Sequence, residues 1–526
     1  MGFDVPEHMD FEDREFDTVD EDWNDFEDPD DGERPQTNWN VVAQEKIARL
    51  NTGQRQILDE VSAAIDLGQY AANRLFFVTG AGGTGKTCLF NTMIAKVKSD
   101  GGFYVATATT GIASLLLTGG KTAHRAFRIR NDIDENSVPT IEYESPFAVA
   151  IRESSFILID EVSMLHVNVF NYINKVVLSV VPSEYRNMPF GGKVVLMSGD
   201  FKQLAPVAKG EGMDGQIMAS IRHSELFVYF KHLKLTENMR ARNEVDFIKW
   251  LTAVGNGENM YDEDLPYIAI PPECKSSNLE ELVDFCFPNN SLEDPLEKID
   301  DLKGSMILCT KNDTVFTIND MLLDKIPNEE RVFKSIDTPI LDPEGAAAAL
   351  LDVHAEDYNV ESINKLTPTG LPPHHLRLKV GAIVMVIRNI SGADGLCNGT
   401  MLQITEIHSD IIKCRRLEED DRFDQVVYLP RIKFEYGTGE NDRTVKFRRI
   451  QFPIRLAFAN TINKAQGQTL QRLGLYLYGQ EAFSHGQIYT ALSRVRTMSS
   501  IRVLKLGLPM PSYLLNVVYY ELLLPK

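Results

Sequence analysis

No stretch of this 526-residue chain approaches the roughly 18 consecutive apolar residues of a membrane-spanning helix, so no membrane role is expected. Cysteine is scarce: Cys88, Cys274, Cys286, Cys309, Cys397 and Cys414 form no C-x-x-C pair and stand beside no histidines at zinc spacing. That scatter argues against a disulfide framework and a structural metal, and the six are read as reduced, mostly buried thiols. The adjacent His374 and His375 read as turn residues rather than metal ligands. No self-similarity recurs at a fixed period, which excludes a solenoid. The opening MGFDVPEHMDFEDREFD has neither the basic-then-apolar order of a secretory signal nor the Arg-rich character of a transit peptide, and the expectation is a cytosolic or nuclear chain. Positive charge is in deficit too. A net charge of −21 taken whole argues against a nucleic-acid partner. The deficit is concentrated, however: residues 1–40 hold 16 Asp and Glu against Arg14 and Arg34, which leaves −7 for residues 41–526. A local basic channel is compatible with that remainder.

What is present is an ordinary globular composition, 43% hydrophobic and 25% charged, in a chain long enough for two cores. Residues 1–42 read as a disordered acidic tail, either a solvated extension or a segment whose acidic and aromatic groups mimic a nucleic-acid strand. From about Ala43, apolar runs such as RLFFVTG, FYVATAT, SFILIDE and KVVLMSGD alternate with helical stretches, the pattern of a parallel α/β sheet. We assign 43–240 to a first core, with a small insertion at about 112–150, and 241–300 to a helical linker. A second core of the same kind is expected over 301–370 and 457–526. Between its halves, residues 371–456 carry short β-like runs at hairpin spacing, read as a small barrel-like insertion.

GAGGTGKT, comprising Gly80, Ala81, Gly82, Gly83, Thr84, Gly85, Lys86 and Thr87, satisfies G-x-x-x-x-G-K-[ST] between an apolar run and a helical one. Glycines let backbone N–H groups approach phosphate oxygens, Lys86 reaches the β and γ phosphates, and the Thr87 hydroxyl suits Mg²⁺. FILIDEVSM ends a strand in Asp160 and Glu161, a metal-holding carboxylate and a second one placed to polarise the attacking water. Nucleotide hydrolysis follows from the two together. Gln203 in GDFKQLAPV is placed to sense a γ-phosphate, and Arg240 and Arg494 are candidates for stabilising charge in phosphoryl transfer.

At this point the chain resembles the Pif (petite integration frequency) group of superfamily-one DNA helicases, relatives of RecD, from about Leu50 to Arg502. LNTGQRQ resembles the adenine-reading Q motif, GAGGTGKT motif I, ATTGIASLLLTGGKTAHRAF motif Ia and LIDEVSML motif II. PFGGKVVLMSGDFKQLAPV is similar to the signature leading into motif III, LTENMR to motif IV, FANTINKAQGQTL to motif V and HGQIYTALSRVRT to motif VI. GLPPHHLRLKVGAIVMVIRNI looks most like the Helitron-associated branch, yet the chain contains no His-x-His nicking motif, so a free-standing helicase and a transposon remnant both stay open.

The resemblance implies two RecA-like P-loop NTPase parallel-sheet domains with an SH3-like β-barrel inserted in the second. It implies that Gln54 reads adenine, Lys86 and Thr87 bind phosphate and Mg²⁺, Asp160 holds the metal, Glu161 is the base, Gln203 the coupler, and Arg240 with Arg494 the paired fingers. Gln466 and Gly467 would lie near the nucleotide. Thr110, His124, Phe127, Asn312, Thr461 and Lys464 match positions where relatives touch the strand, although a structural role is an even alternative for His124 and core packing a somewhat favoured one for Phe127. The implied activity is ATP-dependent DNA unwinding with 5′-to-3′ polarity, on single-stranded and forked DNA, in repair, recombination or telomere maintenance, with a nuclear location. A DNA-stimulated translocase, a DNA-binding scaffold with a dead ATP site, and RNA as the strand remain alternatives.

Overall fold

The computed structural model describes residues 37–524 apart from 131, 209, 240–243, 259–264, 341–359, 369, 393, 419–421 and 438–445. Arg240 and all but the last six residues of the acidic tail lie outside that set. The tail boundary at 42 is corrected by helix α1 (Trp39–Ala48), which Asn38 starts by accepting the Val41 N–H at 3.3 Å. The Lys98 ammonium lies over the Trp39 ring, 4.1 Å from its centroid. Among the described residues no helix is long and apolar enough to cross a membrane.

After α1, helix α2 (Thr52–Leu67) leads into β1 (Leu75–Thr79), and the phosphate loop joins β1 to α3 (Lys86–Ser99). With β2 (Phe103–Ala108), β3 (Lys121–Thr122), β4 (Ser154–Asp160), β5 (Val194–Gly199) and β6 (Lys231–Lys234), β1 forms a parallel sheet in the order β3-β2-β4-β5-β1-β6. Its strands read as continuous apolar runs because helices cover both faces. Phe76 and Phe77 show the consequence: they are neighbours in β1, but Phe76 packs with Phe90, Leu158 and Leu196 on one face, Phe77 with Ile157, Phe170 and Met197 on the other.

The second core is a parallel sheet in the order Ala459–Thr461, Ser305–Cys309, Arg472–Tyr478, Ile501–Leu506. The stretch 241–300 is not a free-standing linker. Strand Tyr267–Ala269 pairs antiparallel with Tyr513–Leu515, and helix Leu279–Cys286 packs on Arg472–Tyr478 and Ile501–Leu506. The apolar positions Leu282, Val283 and Cys286 recur at helical spacing and bury that face against the sheet, which ties the segment to the second core.

The insertion also starts earlier than residue 371. Strands Glu330–Lys334 and Ile336–Pro339 pair with His375–Lys379 and Phe447–Gln451, both inside it. A fully buried bidentate pair locks that end: Arg449 Nε donates to Asp337 Oδ1 at 2.9 Å and Nη2 to Oδ2 at 2.6 Å. The main element of the insertion is an antiparallel sheet in the order Val426–Pro430, Ile411–Arg416, Met401–Ile407, Ile383–Val386, Ile454–Leu456. Its last strand is three residues long and is followed closely by the edge strand of the second core. Five of the six cysteines are buried, Cys88 is exposed, and burial pushes Cys286, Cys309 and Cys414 up to about 12.

Candidate active site

The phosphate loop, the Asp160–Glu161 pair and Gln203 stand at or just after the carboxyl ends of parallel strands, where such sheets open a crevice. The loop after β1 is braced from two sides. From α2, Gln54, 2% exposed, donates through Nε2 to the carbonyls of Thr84 at 3.1 Å and Gly85 at 3.3 Å, while its Oε1 accepts the Asn51 N–H at 3.0 Å. Gly85 sits at φ 79°, and a Cβ there would run into the Gln54 amide, so the position needs glycine twice over. From the turn after β6, Asn238 Nδ2 donates to Gly82 O at 3.1 Å and the Met239 N–H to Gly83 O at 2.9 Å. Both amide protons of Gln54 thus hold the phosphate loop. Lys86 Nζ reaches back to Gly80 O at 2.6 Å.

After β4, Asp160 is buried, and its Oδ1 accepts both the Ser198 hydroxyl and the Glu161 N–H, the latter at 2.8 Å. Ser198 is there by register: Ile159 pairs with Met197 on β5, so the next residue of each strand meets. Burial, then the neighbouring Glu161 carboxylate, pushes Asp160 up to about 6. A cation would relieve that cost. Oδ2 accepts no hydrogen bond from the described residues, and neither does the Thr87 hydroxyl make one, so the pair fits the Mg²⁺ expected here. Glu161 holds a left-handed backbone at φ 56°, which turns its side chain away from the strand line, and Thr109 Oγ1 secures its carbonyl at 2.8 Å.

The second core faces this loop with residues from two of its turns. Helix Gln487–Leu492 is wholly buried, and Gly486 before it lies so close that a Cβ would sit 2.6 Å from Gln203 O. Three bonds stitch the contact: Leu204 N–H to Thr490 Oγ1 at 3.2 Å, His485 Nε2 with Phe201 O at 2.7 Å, and Tyr489 O–H to Asp200 Oδ2 at 2.8 Å. Arg494 follows, 5% exposed, with only neutral acceptors: Thr490 O at 2.8 Å, Ser493 Oγ at 2.7 Å and Gln468 O at 3.4 Å. Burial lowers its pKa, and the Glu161 carboxylate opposes that shift. A Cβ on Gly82 would be 3.7 Å from Ser493 O, which sets this arginine's turn against the phosphate loop. Gln466 Nε2 points at Glu161 Oε2 across 3.5 Å, and a Cβ on Gly467 would be 4.0 Å from Thr110 Oγ1. Buried polar atoms without a partner gather here: Gln203 Oε1, Gln466 Oε1 and both amide atoms of Gln468. Such atoms are costly unless a ligand or water completes them.

A family model described as PIF1-like helicase matches residues 49–264, and a second, described as DNA helicase Pif1, 2B domain, matches residues 361–407. Over these residues the chain resembles the PIF1-like helicase family. It is 26% identical to the ATP-dependent DNA helicase PIF1 of Candida albicans, over 86% of this chain and 54% of that protein. Against the human ATP-dependent DNA helicase PIF1 it is 29% identical, over 85% of this chain and 60% of that protein. It thus spans little more than half the length of these curated relatives. The Pif1 helicase from Bacteroides, solved in complex with ADP-AlF3 and ssDNA, superposes with a TM-score of 0.60 at 22% identity, covering 91% of this chain and 95% of that one. The Candida albicans Pif1 structure gives 0.57 at 24% identity, covering 86% and 94%. Both share the fold of two parallel-sheet cores.

In this PIF1-like chain the candidate strand contacts divide. Thr461 ends the edge strand of the second core beside Cys309, three residues before the exposed Asn312, so Thr461, Lys464 and Asn312 share one edge. Thr110 caps helix Gly111–Leu115, accepting the Ala113 N–H at 3.2 Å, and the insertion approaches this turn: Asn398 O lies 3.0 Å from where a Gly111 Cβ would be. His124 is half-buried, and burial lowers its pKa. Phe127 is corrected. It is fully buried in the core with Phe147 and Ile151, because the helix Ala123–Ala126 turns its end inward, and no base can stack on it. His374 meets Ser335 Oγ through Nδ1 at 2.8 Å. The sequence reading missed Ser198, Asn238, Met239, Gln468 and Tyr489. Register supplied a signal for Ser198 alone; the others act across a fold that brings distant segments together.

Proposed function

We propose that the chain is an ATP-dependent DNA helicase that hydrolyses ATP between its two cores and moves 5′ to 3′ along single-stranded DNA, separating duplex at a fork. One observation carries the reading: Lys86, Asp160 and Glu161 of the first core face Gln466 and Arg494 of the second, with unpartnered buried amide atoms between them. Relatives named ATP-dependent DNA helicase and a fold shared with a protein solved with ssDNA support it. Mg²⁺, when bound at Thr87 and Asp160, neutralises charge on the β and γ phosphates. Lys86 and the loop N–H groups bind the phosphates. Glu161 takes the proton of the attacking water, and Arg494, already desolvated, stabilises the charge that develops on the transferred group. Because Gln203 and Arg494 come from different cores, loss of the γ-phosphate removes a ligand they share, and the cleft relaxes with each turnover. A nuclear site of action is part of the proposal and rests on the resemblance.

The test is ATP hydrolysis with and without an oligo(dT) strand, for the unaltered chain and Lys86→Ala. Hydrolysis that rises with the strand and disappears in the variant supports the proposal. Hydrolysis indifferent to the strand, or none at all, refutes it.

A further inference from the structure

Two cations stand together where the insertion returns to the second core. Arg455 belongs to Ile454–Leu456, the last strand of the insertion; Lys464 belongs to the turn Ile462–Ala465 that follows the second core's edge strand. Both are half-buried. Arg455 Nη2 donates to Asn460 Oδ1 at 2.9 Å, an oxygen that also accepts the Thr461 N–H at 3.0 Å, so one neutral amide orients the guanidinium and leaves most of its five N–H donors uncommitted. Lys464 makes no hydrogen bond or ion pair with the described residues. Burial lowers Lys464 to about 7, with Arg455 beside it adding to the effect, and burial lowers Arg455 to about 10; no carboxylate offsets either shift. Two desolvated like charges with no counter-ion among the described residues are expensive for a fold to keep.

We propose that Arg455 and Lys464 jointly bind one internucleotide phosphate of the single strand, at a site the insertion and the second core build together. The guanidinium fork matches two phosphate oxygens and the ammonium supplies a point charge to the same group. Thr461 and Asn312 lie on the same edge, which places the phosphate in line with the strand contacts already described. Lys464 is also two residues from Gln466, whose amide points at Glu161, so the turn that grips the phosphate ends in the nucleotide cleft. The inference rests on the proposed DNA-tracking function and adds to it Arg455, a contact that neither the motifs nor the family resemblance singled out.

The experiment measures binding of a fluorescent oligo(dT) strand across about 50 to about 200 mM salt for the full chain, Arg455→Gln and Lys464→Gln, with thermal unfolding alongside. Each variant is expected to weaken binding roughly tenfold at low salt and to reduce the slope of log affinity against log salt by about 0.7, the contribution of one phosphate contact on a single strand. Lys464→Gln removes an uncompensated charge, so its melting temperature holds or rises while affinity falls, an outcome that a purely structural lysine does not give. Unchanged slopes in both variants beside intact binding by the unaltered chain overturn the site alone. Absence of strand binding by the unaltered chain overturns the functional reading and the site with it.

Discussion

Replacing Tyr489 by phenylalanine removes a single oxygen from the seam between the cores. That oxygen donates the one short hydrogen bond Asp200 receives, at 2.8 Å; the carboxylate's other donors, the Lys202 N–H at 3.3 Å and Gln203 Nε2 at 3.4 Å, are long. Burial, with the Asp200 carboxylate beside it, raises the phenol well above its usual pKa, so the group stays a donor. A buried bond to a charged acceptor contributes about 2 kcal/mol, roughly 30-fold in an equilibrium or rate. Asp200 precedes Gln203 by three residues and Tyr489 precedes Arg494 by five, so the loss falls on how these two groups are held across the cleft. Strand-stimulated ATP hydrolysis by Tyr489→Phe should drop by about that factor, and in a cycle with Asp200→Asn the double variant should be no worse than the poorer single one. Losses that multiply would refute the coupling.

Four further outcomes follow from the same geometry. Arg494→Gln lowers the hydrolysis rate about a thousandfold while nucleotide affinity, measured by equilibrium titration, moves only a few-fold. Gln54→Ala loosens the phosphate loop, so ATP and GTP use fall together by about tenfold in parallel steady-state assays; a selective loss of ATP use would show the adenine-reading role instead. Phe127→Ala costs about 3–5 kcal/mol in denaturant unfolding, and strand affinity of the folded fraction stays intact. Lys464, held near 7 by burial and by Arg455, is neutral above that pH in the free protein, so the strand must bring a proton with it. Affinity then falls from pH 7 to 9 in the unaltered chain and not in Lys464→Gln, and stability rises over the same window because the unfolded chain holds the extra proton.

Much of the nucleotide site was legible because it depends on local order. The loop, its lysine and the strand-end carboxylates each follow an apolar run whose burial on both faces was itself readable. What stayed hidden depends on register or on contact between segments far apart in the chain. Gln54 carries the residue type expected of a base reader, yet the capping box at the start of α2 turns its amide onto the loop. Phe127 lies in a motif associated with strand contact, and only the packing of Ala123–Ala126 against the core decides that it points inward. The segment 241–300 looked like a linker because its pairing partner, Tyr513–Leu515, lies more than two hundred residues later. Arg455 gave no signal at all. Its meaning comes from Lys464, nine residues on, and from the lack of any carboxylate beside them among the described residues.

We propose a motor that converts hydrolysis at Glu161 into directed movement on one strand. The most direct measurement is ATP-dependent separation of two matched duplexes, one with a 5′ and one with a 3′ single-stranded tail, with Glu161→Gln as control. Unwinding of the 5′-tailed duplex alone, abolished by the substitution, is the predicted result. Unwinding from the 3′ tail, or none from either tail while hydrolysis persists, contradicts it.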